Sequence, residues 1–189
     1  MFGRLFRRDG DADVIAATLY GAIVAQARKP ALYADFGVAD TVTGRFEMVV
    51  LHTVLVLDRL QGEGEAETAV GQKVFDLYCT DMDRSLRELG IGDLGVPKRM
   101  KKMTEGFYGR AMTYREALAA GDVGALGEAI ARNVFPGSDA PNAGRLAAYA
   151  LASAKLLTTT PVATLLAEPP RFADPVAFAP AGAAIKAHA

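Results

Sequence analysis

The chain has 189 residues, 51% of them apolar and 23% charged, and a formal net charge of -1. That is enough for one globular domain with a real core, and it argues against a protein that coats nucleic acid wholesale. A single cysteine, Cys79, excludes an intramolecular disulfide framework, and two distant histidines, His52 and His188, leave no His/Cys zinc spacing.

The first eight residues, MFGRLFRR, are basic but run into DGDAD rather than an apolar stretch, so they are not read as a secretory signal. A reducing, cytoplasmic location is expected. Asp11 or Asp13 is the expected cap of a first helix reaching about Arg28, with Val14, Ala17, Thr18, Ala22 and Ala25 at helical spacing; Lys29-Pro30 is read as its stop. A loop rich in small residues follows. Thr43 is the expected cap of a second helix, about residues 45–61, apolar almost all round: Phe46, Val49, Val50, Val54, Leu57 and Leu60 form a broad stripe, and Met48, Leu51, Leu55 and Val56 cover much of the rest. This predicts the central helix of the core. Its apolar run is about half of the roughly 20 residues that cross a bilayer.

A third helix is predicted over about 67–89. It ends at a GIGDLG connector, and Val96-Pro97 opens the next, proline suiting a first turn. Val96, Met100, Met103, Phe107, Ala111, Tyr114 and Leu118 then repeat at intervals of three and four, a core stripe. Gly121-Asp122 ends that helix and caps another reaching about Phe135; PGSDAPN turns into a helix over about 143–158, and PVATLLAE adds a short helical piece. From Pro169 the chain carries four prolines among alanines and reads as an irregular arm outside the core. No segment shows sustained alternation with period two. The expected fold is all-α: a single domain of about six to seven helices around an apolar central one, with residues 1–10 a basic segment, 11–168 the helical body and 169–189 the arm.

Catalytic constellations are missing from the pattern. There is no Ser/His/Asp, Cys/His or HExxH arrangement, and GIGDLGVPK follows a helix and lacks the ending of a phosphate loop. Charge is the informative feature. Residues 95–115 hold six cations, Lys98, Arg99, Lys101, Lys102, Arg110 and Arg115, against one anion, Glu105. Four of them crowd into the first turns of one helix, where like charges repel; acidic residues of the preceding helix, an RNA or an acidic protein would relieve them. Asp81 falls on the apolar side of its helix among Val70, Val74, Leu77 and Tyr78, so it needs a partner, either within a groove floor or in a structural bond. Asp76 and Asp83 are read as solvated. His52 is a candidate haem or metal ligand, but the better reading is a half-buried histidine bonded to a neighbour; Cys79 reads as an inert core thiol.

Four strings carry a resemblance: LYGAIVAQAR, GRFEMVVLH, FDLYCTDMDRSLRELGIGDLGVPKRMKKM and FYGRAMTYREAL. Together, over about residues 14–135, they resemble the ubiquinol-cytochrome c chaperone family, the long central string most specifically. The resemblance implies a non-catalytic assembly factor for the cytochrome bc complex of the respiratory chain, with no cofactor and cytochrome b as client. It groups mitochondrial members, linked to newly made cytochrome b and to the mitochondrial ribosome, with relatives from alphaproteobacteria. The absence of a long amino-terminal extension is expected of a bacterial member and weakens the expectation of a ribosome contact. By this analogy the partner-binding surface is Asp81, Asp83, Arg84, Arg87, Asp93, Lys98, Arg99, Lys101 and Lys102. Phe2, Leu5 and Phe6 among Arg4, Arg7 and Arg8 suggest a weak peripheral contact with the inner face of the cytoplasmic membrane. Two other readings stand beside it: a small-molecule or haem-binding helical domain with His52 and Asp81 in a pocket, and a basic-patch adaptor for RNA or ribosomes.

Overall fold

The computed structural model describes residues 9–179. The basic residues 1–8, on which the expected membrane contact fell, and residues 180–189, with His188, lie outside that range. The described residues form eight α-helices and no strand: α1 (Asp9–Ala27), α2 (Pro30–Ala34), α3 (Val42–Leu60), α4 (Glu65–Glu88), α5 (Val96–Ala120), α6 (Val123–Val134), α7 (Ala143–Thr159) and α8 (Val162–Ala167), then one 3-10 turn, Pro175–Phe178. The fold is all-α, as the periodicity predicts.

Helix α3 is the centre. Residues 47–56 are buried without a break, and α1, α4, α5, α6 and α7 all pack around it. Its cap lies two residues before the expected one: the Thr41 hydroxyl, not that of Thr43, accepts from the Gly44 N–H. A side chain at residue 44 has no room, because its Cβ would fall 1.9 Å from the carbonyl oxygen of Ala39. Glycine there lets the preceding loop close onto the helix.

Two expectations are corrected. The first helix buries a different face: Ala16, Leu19, Ile23, Gln26 and Ala27 are inside, while Val14, Ala17, Thr18 and Ala25 face water. Apolar residues surround α1, so spacing alone does not choose a side; the bulk of Leu19 and Ile23 decides it. The supposed loop after Lys29 holds a short helix. Pro30 starts α2 rather than only stopping α1, since its fixed φ and missing N–H suit a first turn, and α2 buries Leu32.

The arm is not apart from the core. Its Ala173 and Pro175 are buried, Phe172 lies edge-on to His52 at 5.2 Å, and Phe178 lies edge-on to Tyr149 at 6.1 Å. Over its described residues, 169–179, it is coil with the one 3-10 turn, and Phe172 and Phe178 pack it against the core.

Candidate functional site

Beneath the arm lies a buried polar chain. The His52 Nδ1–H donates to the Met48 carbonyl at 2.7 Å, which leaves Nε2 to accept from the Tyr149 hydroxyl at 2.6 Å. Gln26 Nε2 donates to the same hydroxyl at 2.9 Å and to the Ala173 carbonyl at 3.3 Å, and the Ala173 N–H donates to Ser153 Oγ at 3.1 Å. His52 is completely buried, not half-buried, and burial lowers its pKa to about 4. Both ring nitrogens are used within the chain, so the ring offers none to an iron or another metal. Burial likewise pushes the Tyr149 hydroxyl up to about 12, keeping it a donor. The network joins α1, α3, α7 and the arm; it is architecture.

Asp81 is also structural. It accepts from the Tyr20 hydroxyl of α1 at 3.0 Å and from Arg84 one turn on. Burial, then the carboxylate of Asp81, raise the Tyr20 pKa. Asp83 is half-buried and takes a hydrogen bond of 2.6 Å from Arg87, which also binds Asp93 in the connector; Asp76 is exposed and accepts from Gln72. Asp81, Asp83 and Glu88 of α4 are thus engaged by Arg84 and Arg87, not by the basic run of α5. Within that run Lys101 stands 3.9 Å from Glu105. Lys98, Arg99 and Lys102 are exposed and have no ion-pair partner among the described residues. Cys79 is half-buried, and burial raises its thiol pKa, which keeps it protonated and unreactive.

The feature the residue spacing missed lies on the same two helices, away from these charges. Phe75 of α4 packs against Phe107 and Tyr108 of α5, ring centres 5.1 and 5.5 Å apart, and Tyr78 closes the cluster from within. Leu57 and Leu60 of α3 floor a cleft of about 210 Å³ in front of these rings. Gly71 lines it too, since a Cβ there would sit 3.6 Å from Leu57. At the rim Arg115 lies 3.1 Å from Asp58. Tyr108 is 59% exposed and Met112, one turn on, 63% exposed. The pair forms an apolar strip outside the core stripe, and that i, i+4 pairing was the available signal.

This is an all-α domain with an open, largely apolar cleft whose charged lining residues are Glu67 and Arg115. The ubiquinol-cytochrome C chaperone family model matches residues 34–172, and the chain belongs to that family. A solved structure, the Cbp3 homolog from Brucella abortus, is 44% identical, with a TM-score of 0.83 over 93% of this chain and 98% of that one. No curated protein matches the chain. No helix among the described residues is long and apolar enough to cross a membrane.

Proposed function

We propose that this protein is a non-catalytic chaperone that holds cytochrome b, or its nascent form, while the cytochrome bc complex is assembled. Family membership gives the process, and the cleft between α4 and α5 supports the mode. A membrane subunit awaiting its partners exposes large apolar side chains, and a concave aromatic site of about 210 Å³ suits one such anchor. Tyr108 and Met112 extend the contact along α5, the methionine adapting to irregular shapes. Asp81, Asp83, Arg84, Arg87, Asp93, Lys98, Arg99, Lys101 and Lys102 lie on the connector-side halves of these same two helices or in their connector, outside the cleft lining; on this reading they are a separate charged surface of the chaperone, away from the cleft. The placement that follows is the cytoplasm, at the inner face of the membrane receiving the client.

The haem-binding alternative loses its support in the two occupied nitrogens of His52. A ribosome contact finds no feature specific to RNA, because no exposed aromatic alternates with the cations of the basic run. The test is deletion of the gene in its own organism. The reading expects loss of assembled cytochrome bc complex with general translation unchanged; a normal level of the complex would refute it.

A further inference from the structure

The connector between α4 and α5 presents an exposed apolar tip next in sequence to cations without ion-pair partners among the described residues, and we propose that this tip docks on an anionic bilayer surface. Leu94 is 99% exposed, with Leu89 another exposed leucine of the same connector. Gly90, at a positive φ of 79°, turns the chain out of α4, and Gly92 and Gly95 flank the leucine. Nothing in the packing of this chain requires a leucine there.

Directly after it come Lys98, Arg99 and Lys102. At helical spacing they fall within an arc of about 100° and about 6 Å of axis. They form one patch rather than a ring around the helix. The anions nearest in sequence do not answer it: Asp81 and Glu88 stand with Arg84, Asp83 and Asp93 with Arg87, and Glu105 with Lys101. The unanswered positive charge therefore lies at the same end of α5 as the exposed leucine.

That combination selects the partner. Lipid phosphates complement the three cations, and the interfacial region beneath them accepts a leucine. A nucleic acid would satisfy the cations but gives Leu94 nothing, and the exposed aromatic of α5, Tyr108, is about 9 to 15 Å farther along the helix than these cations. One leucine and three cations make a weak, reversible contact that needs anionic lipid and fades with salt. The contact orients the molecule with the tip at the bilayer and the cleft farther up α5. This goes beyond the client-holding reading, and either can fail with the other intact.

The test is co-sedimentation of the full chain with vesicles of phosphatidylcholine, with and without phosphatidylglycerol. Binding is expected only to the anionic vesicles, reduced several-fold by Leu94→Asp and abolished by Lys98→Glu with Lys102→Glu. The same charge change made elsewhere, Arg145→Glu with Lys155→Glu, should leave binding largely intact. All five positions are exposed, and circular dichroism should match wild type. Equal binding to neutral vesicles, binding that survives the tip variants, or salt-sensitive binding to a single-stranded RNA with none to vesicles would each overturn the proposal.

Discussion

Glu47 of α3, only 3% exposed, is held by Arg110 of α5 through two hydrogen bonds of 2.8 and 2.6 Å. Burial raises the Glu47 pKa even against this partner. The pair fixes α5 on the central helix near Phe107 and Tyr108, so it sets the wall of the cleft.

Removing one partner leaves a charge in the core. Arg110→Ala should therefore cost about 3–5 kcal/mol, whereas the double change Glu47→Leu with Arg110→Met should cost far less than either single one. Urea unfolding of Arg110→Ala, Glu47→Leu and the double variant measures this. Equal losses for the single and double variants would mean that the pair holds nothing in place.

The buried His52 makes stability depend on pH. In the fold its pKa is about 4, against an ordinary 6.5 when the ring meets water. The unfolded chain thus binds the extra proton first as pH falls. Its contribution is complete above about pH 6.5 and is lost on the way down to about pH 4. Between pH 7 and pH 5 the loss is about 2 kcal/mol, measurable by urea unfolding as a steeper fall in wild type than in His52→Gln. Tyr149→Phe should cost about 1–3 kcal/mol at neutral pH, because it strips a partner from both His52 and Gln26.

The docked arm gives a third expectation. Phe172→Ala removes the ring that meets His52 edge-on and should destabilise the whole domain by about 1–3 kcal/mol, less than a fully buried phenylalanine would. Thermal unfolding should remain one transition with a lowered midpoint. An unchanged midpoint would mean that the arm contributes nothing to the core.

The helices were readable because their signals are local. Asp122 and Pro97 sit at or beside helix starts, the cap of α3 fell two residues from the one expected, and the stripe from Val96 through Tyr114 faces inward as its spacing predicts. Face selection failed in α1, where apolar residues on every side make spacing uninformative. The polar chain beneath the arm was not readable at all: Gln26 and Tyr149 are 123 residues apart, His52 and Tyr149 97. Asp81 announced that it needed a partner, but Tyr20, 61 residues earlier, could not be named from its own helix. The charged surface was visible as composition, while the cleft required Phe75 and Tyr108 to meet across two helices.

The central claim is that the cleft between α4 and α5 holds cytochrome b. The direct measurement is an affinity pull-down from gently solubilised membranes of the protein's own organism, comparing tagged wild type with Tyr108→Asp, Met112→Asp. Both positions are exposed, so the variant should fold as wild type within about 0.5 kcal/mol per site. The account predicts that cytochrome b is enriched by the wild type and lost from the folded variant. Equal recovery of cytochrome b by both, or none by either, would contradict it.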